Sequence, residues 1–552
     1  MDRKDDVYKS DSPVDEQKEY LGTLERQQSE VNDLGQKNGE HLQHALKPRH
    51  VAMISIGGVI GTGLFLGTAN SLKNGGPLGL WLGYIVMGSV CYAVMQCLGE
   101  AVSYLPVPGG HIRLADRFVS PAMAFALGWN YWYNWVIVLP AELSAAAVLI
   151  SYWDPNTSPA VYITVCLIVV VAINLLGARV YGEAEFWFCS IKVITIVGLI
   201  ILSFLIDVGV GSQGVLGFHY WKHPGPFVQY NNISGSLGRF LGFWSVLINA
   251  AFSFIGTEIT GIAAGEARNP RKAIPSAVRK VFYRILLFYI LGTLAISVIC
   301  PSDAPDLSFK HKTATKSPFV IAIKAAGIKG LPSVINAALL TSATSAASSD
   351  LYTSSRALYG LALNGQAPRI FARTNRYGLP YLSVFVSILF SLLAYMSVKT
   401  GSGTAFGYFA NLTSVCGLVT WSVIGCLHLR FRTAMKVQGV SDDVLPYKAP
   451  LSKFFSGKFF SYYTIGWTLL VILFCDWSVF LNGNWSTSDF ITNYFPVPFF
   501  AVLYAFGAWR WGGAFRKAEE IDLHTGLQTI IDNEVEEPVP TNLWEKVWAY
   551  IA

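Results

Sequence analysis

The sequence predicts an all-α polytopic membrane protein with about twelve transmembrane helices. Three observations carry that prediction. First, only 14% of the 552 residues are charged while 52% are hydrophobic, whereas a soluble chain needs roughly 25% charged residues to wet its surface. Second, the charges gather in the two ends and in short connectors. Third, the stretches between them are apolar runs of about 20 residues, the length that crosses a ~30 Å hydrocarbon core. A soluble two-domain enzyme does not fit this pattern. The net charge of +6 does not point to nucleic acid either, because the basic residues punctuate the apolar runs rather than line one face. The polar residues 1–48 lack the apolar core of a cleavable signal peptide, so the first span is expected to direct its own insertion.

Run length and the interrupting Gly, Pro and charge clusters place the spans in order. They fall near 51–72, 78–104, 122–152, 160–178, 184–206 and 240–265, then 281–300, 331–363, 381–398, 405–428, 462–480 and 494–511. The expected organisation is a tail over 1–48, a twelve-helix membrane domain over 49–512 and a second tail over 513–552. An even number of spans puts both tails on one side. Lys47 and Arg49, Arg113 and Arg117, the Arg268–Lys280 cluster, Arg369–Arg376 and the Arg430–Lys458 group all fall on that side, which the positive-inside rule makes cytoplasmic. Lys310, Lys312 and Lys316 are the local exception. The sequons at Asn156, Asn232 and Asn484 fall in the opposite connectors, while Asn411 lies within a span. The eight cysteines form no metal-type pair and read as small apolar packing residues.

Two spans are interrupted by glycine at matching places. The first carries Gly57-Gly58-Val59-Ile60-Gly61-Thr62-Gly63, and the sixth carries Phe252-Ser253-Phe254-Ile255-Gly256-Thr257-Glu258. They are five spans apart, as in an inverted repeat of spans one to five and six to ten. A break inside a membrane exposes N–H and C=O groups that lipid cannot satisfy, so they must face protein or a polar cavity. A half-helix that starts at the first break aims N–H groups at an anion; one that ends at the sixth aims carbonyls at a cation. The pair suits a zwitterion. The bland alternative is close helix packing through small residues. A phosphate loop is excluded, since neither a Lys-Ser/Thr ending nor a preceding strand is present.

Longer motifs then carry a resemblance. They are the first-span Gly-Gly-x-Ile-Gly-Thr-Gly-Leu-Phe run, Gly182-Glu183-x-Glu185-Phe186-Trp187 with Ile191-Lys192-Val193, and Phe254-x-Gly256-x-Glu258 through Asn269-Pro270-Arg271-Lys272. The eighth span adds Ser354-Ser355-Arg356-x-Leu358-Tyr359-Gly360. On these the chain resembles the fungal amino-acid permeases of the amino acid–polyamine–organocation superfamily, and its stretches Leu291-Gly292-Thr293-Leu294-Ala295-Ile296-Ser297-Val298 and Gly327-Ile328-Lys329-x-Leu331-Pro332 look most like the proline and neutral amino-acid permeases. The resemblance implies a LeuT-type 5+5 inverted repeat plus two C-terminal helices. It also implies alternating-access import of amino acids with protons across the plasma membrane. Thr62 and Gly63, beside Gly61, would supply N–H groups to the substrate carboxylate; carbonyls of Val59, Phe252 and Ile255 would hold its ammonium, with Ser253 in the same segment. The chain departs from many relatives at Ala346-Ala347-Ser348-Ser349-Asp350, where they carry Ala-Gly-Asn-Ser, and this bears on side-chain selectivity. It also lacks their Phe-Trp-Cys ending, so terminal palmitoylation is not expected.

Ionisable residues within spans are costly and mark function. Lys192 stands where sodium-coupled relatives of the fold hold a sodium ion against the first break, and its ammonium can replace that ion; the competing reading is a lysine that snorkels to the interface. Glu142 in span three and Glu258 after the sixth break can carry a proton or meet a polar substrate group. Glu258 can instead stabilise unwound backbone. Glu100 and Glu266 read as gate or anchor residues, Phe252 as a substrate lid. The tail lysines Lys4, Lys9, Lys18 and Lys37 suit ubiquitin-ligase machinery or a plain solvated tail, and 543–551 has one apolar helical face. No catalytic triad, metal cluster or cofactor motif appears, so an enzyme is not expected. The rival functions are a transporter of polyamines, nucleobases or GABA, and a non-transporting amino-acid sensor.

Overall fold

The computed structural model describes residues 60–532, apart from 108, 260–268, 308–316, 376–377, 452–453 and 482. Val59, Glu266, the tail lysines and the 543–551 segment lie outside the described residues. Within them every ordered element is helical. Eight helices are long and apolar enough to cross a membrane, or nine if the bent pair Thr487–Tyr494 and Pro496–Trp511 is one span.

The remaining expected spans differ in length or polarity. Spans one and two lie within Gly63–Tyr104 as two helices joined by a kink at Gly76, whose backbone is non-helical with φ +76°. A Cβ there would sit 2.8 Å from the Phe227 Cα, so glycine is required by both backbone and space. The corner is tied by the Leu78 N–H to the Pro226 carbonyl at 2.9 Å. Span four, Pro159–Leu175, is a short apolar helix. Span eight, Leu331–Leu363, is long but rich in buried Ser, Asn and Asp. Several boundaries move from expectation: span five starts at Ala178 rather than Ala184, span six starts at Gly235 rather than Phe240 and its helix ends at Phe254, span seven starts at Pro270 rather than Val281, and span ten runs to Val437 rather than His428. The extensions of spans seven and ten are charged segments that remain helical beyond the apolar run.

Span three (Pro121–Ile150) occupies the centre, packed by spans eight, ten and twelve. It is opened by a Ser120 cap that accepts from the Met123 N–H at 3.2 Å, with Pro121 at its first position, the arrangement these residues favour. Spans four, five, six, seven, nine, eleven and twelve carry most of the exposed large apolar side chains, among them Val165, Ile194, Phe240, Phe385, Leu473 and Trp509. They form the surface that lipid would cover. Asn156, Asn232 and Asn484 are exposed in connectors. All eight cysteines are free, and all but Cys426 are buried.

Beyond span twelve the chain does not leave the body at once. Ile521 and Leu523 are buried. Arg117, on the helix Gly110–Phe118, donates to the carbonyls of Asp522 and Thr525 at 2.7 Å each and pairs with the Asp522 carboxylate at 2.9 Å. Gln438, just past span ten, donates to the Ile521 carbonyl at 2.7 Å.

Candidate functional site

The first break opens directly into the described chain. Ile60 and Gly61 are non-helical, Thr62 begins the turn, and Gly63–Gly67 forms a π-helical stretch with every residue buried. π-Helical turns are rare and cluster at functional positions. In the sixth span, Gly235–Phe254 ends at Ile255, whose backbone is extended, followed by Gly256 at φ +95°. In an uninterrupted helix the Gly256 N–H would bond the Phe252 carbonyl. Here it donates instead to Glu258 Oε2 at 3.1 Å, and the same oxygen accepts from Trp421 Nε1 at 3.2 Å. Glu258 thus holds the unwound backbone, one of the two roles its position allows.

The two breaks touch. A Cβ on Gly63 would lie 2.8 Å from Ser253 Oγ, 2.9 Å from Ser253 Cα and 3.1 Å from the Phe252 ring. Tyr84 of span two bonds Ser253 Oγ at 2.8 Å and reaches the Gly63 carbonyl at 3.5 Å. Ile255 fills the space left by Gly417 of span ten, and the Trp135 ring lies against Gly256. Phe252 is half-buried and meets Phe406 edge-on at 5.7 Å.

Span three joins this region to a buried charged cluster. Thr62 Oγ1 donates to Glu142 Oε1 at 2.8 Å, and Glu142 Oε2 has no hydrogen-bond partner among the described residues. A Cβ on Gly61 would come within 3.4 Å of the same carboxylate. Glu142 in turn lies within electrostatic reach of Lys192. Lys192 is 1% exposed, its Nζ 3.8 Å from Glu185 Oε1 and without a hydrogen-bond partner among the described residues. Its ammonium does not reach the surface, so the snorkelling reading does not describe this side chain. Span five explains why. Glu185, Cys189, Lys192, Ile196, Leu199, Ser203 and Ile206 are all buried, a stripe spaced four and three residues apart, while Ile191 and Ile194 face outward.

Several contributors went unremarked in the sequence. Glu185 counted only as part of a motif; both its oxygens accept, from Cys189 Sγ at 3.2 Å and Ser345 Oγ at 2.8 Å. Asp350 figured only as a departure from relatives, yet it is 3% exposed, with Oδ2 unpartnered among the described residues. Nothing in the sequence separates Tyr84 or Trp135 from the other tyrosines and tryptophans of the chain. The neighbouring Ser348 and Ser349 engage Asn174 of span four (3.0 Å) and Tyr181 of span five (3.1 Å).

Glu100 sits apart from the breaks, in an anchoring network. It accepts from the Ala449 N–H at 2.8 Å, meets His428 Nε2 at 2.7 Å and lies 3.4 Å from Arg432, which pairs with Asp442 at 2.8 Å.

Comparison with known proteins gives one family and many relatives. The family model described as Amino acid permease matches residues 50–519. A proline-specific permease of Emericella nidulans is 40% identical over 520 residues, covering 92% of this chain and 93% of that one. A dicarboxylic amino acid permease of Saccharomyces cerevisiae is 39% identical over 510 residues (91% and 83%). A lysine-specific permease of the same yeast is 39% identical over 515 residues (93% and 83%). Among solved structures, an outward-open Na+-coupled sialic acid symporter aligns with a TM-score of 0.47 at 13% identity, covering 82% of this chain and 94% of that one.

Proposed function

The chain belongs to the amino acid permease family, and on that premise we propose that it imports neutral amino acids, proline among them, by proton symport. The membrane crossed is the plasma membrane, with both termini cytoplasmic. Thr62 and Gly63, beside Gly61, offer N–H groups to the substrate carboxylate. The Phe252 carbonyl, whose helical partner is turned to Glu258, receives the ammonium together with those of Val59 and Ile255. Ser253 and Phe252 stand at the junction of the two breaks. Glu142 links the carboxylate end to Lys192.

The observation that supports proton coupling is the burial of the Lys192 side chain within electrostatic reach of Glu142, which accepts from Thr62 at the first break. A lysine can hold the bridging charge when protonated and release it when its proton leaves, an exchange arginine does not make. Neutral substrates are favoured because the acids at the breaks are already engaged, Glu142 by Thr62 and Glu258 by Gly256 and Trp421. Overall identity does not choose the substrate, since relatives named for proline, dicarboxylic and lysine transport stand at 39–40%.

Uptake of radiolabelled L-proline in a transport-deficient host tests the reading. Accumulation should proceed without sodium, weaken as external pH rises, collapse with a protonophore, and be inhibited by neutral amino acids but poorly by their methyl esters. Sodium-dependent, pH-independent uptake would overturn proton symport. Strongest competition from lysine or glutamate would overturn the substrate class.

A further inference from the structure

We propose that Asp350 is a second proton-binding residue of the transport cycle, protonated in the arrangement described above and ionised when the cluster around Lys192 opens. This rests on the proton-symport reading.

The case begins with a charge inventory. Asp350 lies on span eight within electrostatic reach of Glu142 on span three and of Lys192 and Glu185 on span five. The four side chains are each no more than 3% exposed. Three carboxylates and one ammonium, all ionised, would leave two uncompensated negative charges away from water, which is strongly unfavourable. The other elements packed on span eight do not correct the balance. Span four over Pro159–Leu175 and span nine over Tyr381–Ser391 contain no charged residue. Lys324 and Arg369, on the short helices at the two ends of span eight, are exposed. Arg356, further along the same helix, is stacked on Tyr352 at 3.2 Å.

Hydrogen bonding then separates the three acids. Glu185 accepts at both oxygens and faces the ammonium, the environment of an ionised carboxylate. It balances Lys192. Glu142 accepts from Thr62 and keeps one oxygen free. Asp350 Oδ2 has no partner among the described residues, so nothing shown stabilises a negative charge on that atom. Neutrality is restored when Glu142 and Asp350 hold protons. Of these two, Asp350 is the one not tied to the first break. Its proton goes to water when spans five and eight part, and the carboxylate left behind then faces Lys192. No bond other than O–H is made or broken.

The experiment compares wild type and Asp350→Asn in proteoliposomes loaded with radiolabelled L-proline, or another amino acid that the wild type accumulates. Reversal potentials at set pH gradients give the number of protons moved per substrate. The wild type should move one proton more than Asp350→Asn, and the slope of log apparent affinity against pH should fall by one in the variant. An unchanged proton count in Asp350→Asn overturns the proposal. Sodium-driven wild-type transport indifferent to pH would instead overturn the symport reading beneath it. Should Asp350→Asn fail to reach the membrane, Asp350→Glu decides. That variant should keep the wild-type count but shift the pH midpoint of uptake, and an unshifted midpoint overturns the proposal.

Discussion

Replacing Gly63 with alanine probes the contact between the two breaks with the smallest possible side chain. Gly63 is not among the residues of positive φ, so backbone strain is not at issue; space is. The added Cβ would stand 2.9 Å from Ser253 Cα, about 0.5 Å inside the 3.4 Å at which ordinary contact begins. Because that atom is backbone, no rotamer change relieves it, and the first and sixth spans must separate. Overpacking of this kind costs about 1–3 kcal/mol, partly offset by the ~0.5–1 kcal/mol that alanine gains over glycine in a helix. If the contact belongs to the substrate-competent arrangement, the ~2.5 kcal/mol left at the upper end corresponds to a fall in uptake of up to about 60-fold at unchanged surface expression. Ser253→Ala should not rescue, since it removes the hydroxyl but leaves the Cα in place. Gly67→Ala is the internal control. It lies in the same π-helical stretch, is equally buried, and has nothing within 4 Å of the added carbon. Initial rates of radiolabelled uptake, normalised to surface biotinylation, decide the matter. Equal rates for Gly63→Ala and Gly67→Ala would refute the assignment of this contact to the transport site.

Three further outcomes are expected. Lys192→Arg should fail to accumulate substrate against a gradient while Lys192→Ala retains exchange; concentrative, proton-dependent uptake by the arginine variant, measured with and without protonophore, would remove Lys192 from coupling. Glu258→Gln keeps an acceptor for Gly256 and Trp421 and should be thermally stable in detergent, whereas Glu258→Ala leaves two buried donors open at about 1–3 kcal/mol each and should melt earlier; equal melting would dissociate Glu258 from the break. The clasp between Arg117 and Asp522 should be insensitive to pH near neutrality. Burial opposes the charged carboxylate, but the Thr525 N–H and Arg117 outweigh it and hold Asp522 below the usual carboxylate range. Its contribution is therefore complete above about pH 4 and is lost only as pH falls further, which limited proteolysis of the segment after Gly512 at pH 7 and pH 3 would reveal.

Much of this was readable from residue order alone. The broken spans stand out because two glycine clusters fall at matching places five spans apart, one followed by an acid, which close packing alone does not require, and Gly63, Phe252 and Ser253 do meet. Apolar run length misjudged spans whose physics is different: span eight buries hydroxyls and Asn336 alongside its leucines, and span ten stays helical through Arg430, Arg432 and Lys436. Lys192 was ambiguous while weighed against its sequence neighbours Ile191 and Val193. The positions three and four away, Cys189 and Ile196, mark the buried face correctly. Asp350 could not be found this way, because its partners Glu142 and Glu185 lie more than 160 residues earlier in the chain and only tertiary packing brings them together.

The Tyr84 hydroxyl has a mechanical consequence. It belongs to the second span, yet it is bonded to Ser253 in the sixth and reaches the Gly63 carbonyl in the first. The second span also follows the first directly, across the non-helical Gly76 corner. Any rearrangement that parts the two half-helices must therefore snap this bond or drag span two along. The phenol acts as a latch across the seam, and the corner as the bracket that keeps the latch aligned. A phenylalanine at position 84 would leave the bracket intact and the latch open, which makes the stiffness of the seam separable from its shape.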